Sequence, residues 1–313
     1  RYPLAFFAAP DPDNAGAGSL KCSQGNGMAL FPFIFDSLVK NMLEKYLEAV
    51  RKKSPLIHNI TNYVTANDVA NMLLACGGSA VMADSPEDAE EITSLCAGLC
   101  ANMGTLNRDK LSAMLLAGKK SNALSHPVVL DPVGVGSSRF RTESAKELLS
   151  NIKFAAIRGN VSEIKTLSGV GGATQGVDAS LEDMHEGLRA AVGEARTLSD
   201  KTGAVVIVSG VTDIVYFKGR TGIVKNGCSL MSRITGSGCM LSALTAAFIA
   251  ASPNEPFEAA LCAVILMGAA GEIAFEKTKI TGGGNSSFRN HLIDAAVNMD
   301  GETLERRADY EIH

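Results

Sequence analysis

The sequence predicts an α/β protein, a three-layer sandwich in which a mostly parallel central sheet is flanked by helices. Three observations carry that reading. Short apolar runs stand at residues 56–60, 79–82, 99–103, 128–130, 155–157 and 205–208. Strands buried on both faces read as unbroken apolar runs of this kind rather than as alternating ones. Amphipathic stretches at 65–74, 86–96, 109–123, 143–149 and 178–201 separate them, and strand–helix alternation favours a parallel sheet covered on both faces. The runs also end in polar or glycine residues, the composition expected where ligands bind beyond the carboxyl ends of parallel strands.

Taken in order, residues 1–40 read as a lead rather than as fold. The chain starts at Arg1, and 9–27 is poor in large apolar residues and rich in Gly, Pro, Ala and Asn. The reading is a disordered or vector-derived segment, with Met28 as a candidate start. The apolar run at 4–9 is shorter than a secretory signal core of about 7–15 residues. In the stretch 65–74, Val69, Met72 and Leu73 fall at i, i+3 and i+4, one face of a helix. Runs at 214–218 and 222–225 flank Gly219-Arg220-Thr221, which reads as a hairpin and puts an antiparallel element near the sheet edge. Helices follow at 239–251, 256–276 and 288–298, and the run Gly282-Gly283-Gly284 reads as a loop near a pocket rim. Residues 41–300 are expected to form a single domain and 301–313 a polar tail.

Charge and composition exclude several classes. Lys and Arg number 29 against 33 Asp and Glu, a net charge of −4, which argues against a nucleic-acid or polybasic membrane surface. Hydrophobic residues at 46% with 20% charged residues supply a large core. The longest apolar stretches, such as 259–271, fall short of the ~20 residues that span a bilayer. Seven cysteines without a CxxC pair and five scattered histidines argue against a zinc site or a disulfide framework and fit a reducing cytoplasm. With no tryptophan and 5% aromatic residues, base-stacking platforms are poorly supplied.

The chemistry gathers at the strand ends and at one glycine turn. Thr235-Gly236-Ser237-Gly238-Cys239 precedes an apolar helix. Glycines let a ligand approach the backbone, and the first helical N–H groups lack internal partners, so the turn suits an anion. It lacks the lysine of a phosphate loop and is not a GxGxxG fingerprint; a plain tight turn is the other reading. Asp131, followed by Pro132, Gly134 and Gly136, is either a carboxylate for Mg²⁺, a cation that prefers oxygen ligands, or a capping aspartate. Arg158-Gly159-Asn160 with Glu163 reads as a capping box. It reads equally as an Arg, an Asn and a Glu that hold phosphates and an outer-sphere Mg²⁺, with the guanidinium neutralising charge. His58 is expected to orient the adjacent loop, and Cys96, Cys100 and Met103 to pack in the core.

One resemblance joins these pieces. His58-Asn59-Ile60-Thr61-Asn62, Ser79-Ala80-Val81-Met82, Asn102-Met103-Gly104-Thr105-Leu106, Asp131-Pro132-Val133-Gly134-Val135-Gly136, Arg158-Gly159-Asn160 with Glu163, and Thr235-Gly236-Ser237-Gly238-Cys239 occur in this order over residues 54–298. Together they resemble the hydroxyethylthiazole kinase family, the thiamine-salvage branch of the ribokinase-like superfamily. The resemblance implies a ribokinase-like sandwich and a cytoplasmic homotrimer with sites at subunit boundaries. It implies transfer of phosphoryl from ATP to 4-methyl-5-(2-hydroxyethyl)thiazole with Mg²⁺; direct in-line transfer without a covalent intermediate is the expectation from the chemistry. By match of motif, Arg158 and Ser209 would contact ATP, and Met82 and Gly236 the thiazole; Asn160, beside Arg158, is expected to join the ATP contacts and Asn62 the thiazole contacts. Asp131 and Glu163 would serve the metal. Arg158, Gly236, Gly238 and Cys239 are expected to form the catalytic set, Cys239 standing where the resemblance implies an aspartate base in other ribokinase-like enzymes. As base or as a small residue that fits the turn, Cys239 stays open at this point.

The chain departs from the family pattern in places. Where the family usually has Thr-Gly-Glu-x-Asp, Ser209-Gly210-Val211-Thr212-Asp213 keeps a hydroxyl but loses a charge near the nucleotide, and Asn59 and Asp84 alter the pocket. Two further readings remain: a related kinase for a pyrimidine or pyridoxine alcohol, disfavoured by cysteine at 239, and a non-catalytic relative, favoured by the missing glutamate at 211 and disfavoured by intact Asp131, Arg158, Asn160, Glu163 and the glycine turn.

Overall fold

Each apolar run becomes a strand, and period-two alternation divides its side chains between two cores. In the computed structural model the described residues are 42–169 and 181–313. The lead at 1–40 and the first residues of the helix expected at 178–201 lie outside them. The strands are β1 (Leu56–Ile60), β2 (Ser79–Met82), β3 (Gly98–Asn102), β4 (Val128–Asp131), β5 (Ala156–Asn160), β6 (Val205–Ser209), β7 (Asp213–Phe217), β8 (Arg220–Val224) and β9 (Tyr310–Ile312). They form one sheet in the order β2-β1-β3-β4-β5-β6-β7-β8-β9. Pairs from β2 through β6 are parallel, and the pairs β6–β7, β7–β8 and β8–β9 are antiparallel. From β1 the chain moves outward to β2 and then returns to β3 on β1's other side, which makes the β1–β3 crevice a topological switch point.

Helices cover both faces. One core takes in residues of α1 (Met42–Lys53), α2 (Ala66–Cys76), α8 (Ser237–Ala251), α9 (Pro256–Thr281) and α10 (Asn285–Asn298). The other takes in residues of α3 (Ala89–Leu95), α4 (Arg108–Ala123), α5 (Arg139–Asn151), α6 (Val161–Ser168) and α7 (Leu181–Thr202). In β6, Val205 and Ile207 belong to the first core and Val206 and Val208 to the second.

Several expectations are corrected. Residues 301–313 are not a tail: they hold α11 (Gly301–Arg307), capped by Asp300 and plugged by buried Leu304, and then β9. The hairpin β7–β8 lies near the sheet edge, as expected, and β9 pairs along β8 as the edge strand itself, covering backbone groups that an edge would leave open. α1 went unread although Leu43, Tyr46, Leu47 and Val50 form its buried stripe. The glycine run at 282–284 is a joint between two helices: Gly282, at φ +64°, caps α9, and α10 begins at Asn285. α9 is 26 residues long and holds an 18-residue window with a mean hydropathy of 1.7, so by length and composition it could cross a membrane. In this fold 83% of that apolar window is buried inside the protein, as a core helix.

Candidate active site

Strand parity assembles the site. Cys100, Val129, Ala156 and Ile207 all face the core that contains α8. Side chains alternate along a strand, so two residues further on Asn102, Asp131, Arg158 and Ser209 face the same side at the carboxyl ends of β3, β4, β5 and β6. Register sets Asn102 opposite Asp131, and Arg158 opposite Ile207, so that Ser209 lies one same-face step further along β6. Above them sits the first turn of α8.

That turn depends on its glycines. Gly236 has φ +91°, in the left-handed region that glycine tolerates, and a Cβ there would stand 2.7 Å from Thr65 Cγ2. A Cβ at Gly238 would collide with the Arg158 guanidinium. The Met240 amide donates to Gly236 O at 2.8 Å, which leaves the amides of residues 237–239 without intrahelical acceptors. The guanidinium therefore lies against an open helix N-terminus. Arg158 Nε donates to Ser209 Oγ at 2.9 Å, and its Nη1 stands 3.8 Å from Asp131 Oδ2.

Asp131 is fully buried. Its Oδ2 accepts from Asn102 Nδ2 at 2.7 Å and from Ser242 Oγ at 2.8 Å, while Oδ1 is buried without a hydrogen-bond partner. Burial pushes its pKa up, opposed by Arg158 and by the Ser242 hydrogen bond. A buried orphan oxygen of this kind calls for an ion or a water. Cys239 Sγ accepts from Asn62 Nδ2 at 3.2 Å and from Asn102 Nδ2 at 3.3 Å. Burial and then the Asp131 charge raise the thiol pKa, which keeps the sulfur protonated at neutral pH and disfavours a thiolate base.

The capping box read at Asn160 is present: the Glu163 amide donates to Asn160 Oδ1, and the Asn160 amide to Glu163 Oε2, each at 2.9 Å. Glu163 Oε1 accepts from the Gly134 amide at 2.9 Å, so this one carboxylate ties the loop after β4 to the end of β5. Asn62 Oδ1 accepts from the Thr65 amide at 3.0 Å, and its Nδ2 also reaches Asn102 Oδ1 at 3.2 Å. With both ends engaged, Asn62 shapes the turn and holds Cys239. Met82 stands on the edge strand, 38% exposed and in register with Asn59. Asn59 is buried and donates to Ile57 O at 2.8 Å. His58, expected to orient the loop adjacent to it, instead reaches α3 and the loop after β2, through contacts of 2.9 Å with Thr93 Oγ1 and Ala83 O.

A cavity of about 720 Å³ opens from Arg158, Asn160, Ser209, Ser237 and Gly238. Leu241, Val264 and Met267 give it apolar wall, and the 226–229 segment completes it. Charged donors with an apolar wall suit a ligand that is anionic at one end and flat at the other. Asp213, also on the wall, accepts from the Gly210 amide at 2.9 Å. Burial lifts its pKa to about 6, against that hydrogen bond and Arg158. Val211, the departure from the family pattern, is 93% exposed: a glutamate here would add charge at the cavity mouth, not a contact within.

Against known proteins, a sequence profile of the hydroxyethylthiazole kinase family matches residues 47–302. The chain belongs to this family of phosphotransferases. It is 51% identical to a hydroxyethylthiazole kinase of Clostridium acetobutylicum over 86% of this chain and 99% of that one. With a hydroxyethylthiazole kinase of Desulfovibrio desulfuricans the identity is 47%, over 84% and 95% of the two chains. The structure of a hydroxyethylthiazole kinase from Pyrococcus horikoshii superposes with a TM-score of 0.77 at 35% identity, over 87% of this chain and 98% of that one. Pyridoxal kinase from Staphylococcus aureus, at 16% identity and a TM-score of 0.52 over 82% and 97% of the chains, shares the ribokinase-like fold.

Asn102 and Ser242 went unassigned from sequence. Asn102 stood in a quoted motif, but its role as bridge between Asp131 and Cys239 depends on register. Ser242 had one signal: a polar residue inside an apolar helix, four positions after Gly238.

Proposed function

We propose that the protein transfers the γ-phosphoryl of ATP to the primary alcohol of 4-methyl-5-(2-hydroxyethyl)thiazole, as a step of thiamine salvage. The observation that carries the reading is the Arg158 guanidinium seated against the open first turn of α8, beside buried Asp131. Phosphoryl transfer passes through a loose state, so positioning and charge neutralisation supply most of the catalysis. Amides of residues 237–239 would hold the moving phosphoryl, while Arg158, Ser209 and Asn160 would hold the polyphosphate. Gly236 and Met82 would border the thiazole, and Asn62 would hold the turn. Cys239 would orient the acceptor hydroxyl rather than deprotonate it, because its thiol pKa is raised.

The residues fit Mg²⁺. Asp131 offers a buried oxygen without a partner, and Mg²⁺ is commonly held by one or two carboxylates plus phosphates and water. Among the described residues no cluster of three or more His, Cys, Asp or Glu side chains could hold a metal, which suits an ion brought with its nucleotide. Asp131 would hold it directly and Glu163, whose two oxygens each accept a backbone amide, through water. When bound, the ion neutralises charge on the polyphosphate.

A cytoplasmic homotrimer with the acceptor side at a subunit boundary completes the proposal. It is supported by the exposure of Tyr63 (67%), Val64 (65%) and Met82 (38%) beside the site, and by the free thiols of Cys76, Cys96, Cys100, Cys228, Cys239 and Cys262. The test is a coupled assay of ADP release. Release that depends on the thiazole alcohol supports the reading; release only with a pyridoxine or pyrimidine alcohol, or nucleotide binding without release, refutes it.

A further inference from the structure

Lys110 is a buried cation outside the network described above. It is 1% exposed and stands in the first turn of α4, where Asn107 Oδ1 caps its backbone amide at 2.8 Å. A positive charge there opposes the helix dipole, and an ammonium buried without partners is strongly unfavourable. Its partners come from three separate loops. Nζ donates to Thr61 O at 2.8 Å and to Thr105 Oγ1 at 3.3 Å, lies 3.4 Å from Asp84 Oδ2, and stands 4.0 Å from the centre of the Tyr63 ring.

Thr61 and Tyr63 follow β1, Asp84 follows β2, and Thr105 follows β3. Each loop also carries a part of the acceptor side. Thr61 adjoins Asn62, which holds Cys239. Asp84 is two residues beyond Met82. Thr105 adjoins Gly104, whose amide donates to Asn102 Oδ1 at 2.9 Å. Thr105 has φ +46°, a left-handed conformation that a β-branched residue adopts only when its surroundings enforce it. Burial draws the Lys110 pKa down and Asp84 holds it up, so the ion pair helps keep the amine charged.

We propose that Lys110 is a positioning residue that fixes the loops after β1, β2 and β3 against one another, and so governs capture of the acceptor alcohol rather than transfer of the phosphoryl group. The inference rests on the function proposed above for its kinetic consequence alone. Lys110 touches no reacting group; it acts through Asn62, Met82 and Asn102. A cation with several oxygen partners and a π face holds three loops together in a way that an apolar side chain of equal length does not.

The experiment pairs hydrogen exchange with kinetics on the full chain and its Lys110→Met variant. Amides at 61–65, 83–88 and 104–107 are expected to exchange at least tenfold faster together in the variant, with β5 and β6 unchanged. The KM for the thiazole alcohol is expected to rise tenfold or more, while kcat and the KM for ATP stay within twofold. Unchanged exchange, loss of protection confined to α4, or a fall in kcat at constant alcohol KM would overturn the proposal. Should Lys110→Met not fold, Asp84→Asn, which alters one partially exposed partner, is expected to shift both readouts less and in the same direction; no shift overturns the clamp. A wild-type chain without thiazole-dependent turnover would sink the proposed function, and the exchange data would still decide the clamp.

Discussion

The nucleotide side and the acceptor side of the site are held by different means. On the nucleotide side, Asp131, Arg158 and Ser209 project from neighbouring strands, and backbone ladders fix their spacing. Arg158 then needs only Ser209, Asp131 and a glycine to find its place. On the acceptor side, the corresponding residues sit at or just beyond strand ends, with Tyr63 and Met82 exposed, and one buried lysine reaches all three loops. Charge handling is built into sheet register, which tolerates no slip without flipping every side chain. Substrate fit is left to loops, which can change without disturbing the sheet.

Changes on the nucleotide side should therefore cost most. Arg158→Ala is expected to lower kcat/KM by about 2–4 kcal/mol of transition-state stabilisation, roughly 30- to 1000-fold; steady-state kinetics with circular dichroism on the same sample would check it, and a loss under threefold would remove Arg158 from the transfer step. Gly238→Ala separates activity from folding. The added methyl collides with the guanidinium, the flexible end of a side chain that can move aside, so turnover should fall at least tenfold while the melting temperature changes little. The Lys110→Met shift in alcohol KM is the matching probe of the acceptor side.

Smaller effects sharpen the contrast. Cys239→Ala is expected to reduce kcat by less than tenfold and to leave the shape of its pH profile unchanged, because burial keeps the thiol protonated. Loss of an alkaline or neutral limb in that variant would restore Cys239 as a base. The last effect is on stability. In the fold Asp213 has its pKa lifted to about 6, against about 4 for an unfolded aspartate. Between those values the native state holds more protons than the unfolded one, so this residue makes stability fall as pH rises from about 4 to 6 and adds no further slope above. Denaturant titrations across that range should show the slope in the wild type and a flatter profile in Asp213→Asn.

Much of the nucleotide side was legible in the sequence. Once the runs ending at 130, 157 and 208 are read as strands, the positions of Asp131, Arg158 and Ser209 follow from parity, and the glycine turn announces the helix above them. The sheet and most helices were legible for the same reason: buried parallel strands have a local apolar signature. What escaped depends on distance. Glu163 bonds Gly134 from 29 residues away, and Ser242 reaches Asp131 across 111, contacts that no window of sequence contains. Lys110 looked like one more charge on an amphipathic helix. β9 is only three residues long, with Tyr310 and Ile312 on either side of a glutamate, too brief for a pattern to declare itself.

The most direct measurement is a crystal structure of the chain with Mg²⁺, a non-hydrolysable ATP analogue and the thiazole alcohol. The terminal phosphate should accept hydrogen bonds from the amides of Ser237, Gly238 or Cys239, with the Arg158 guanidinium alongside and the metal on the Asp131 side. A terminal phosphate bound away from that turn, with Arg158 still paired only to Ser209 and Asp131, would contradict the assignment of the α8 N-terminus as the transfer site.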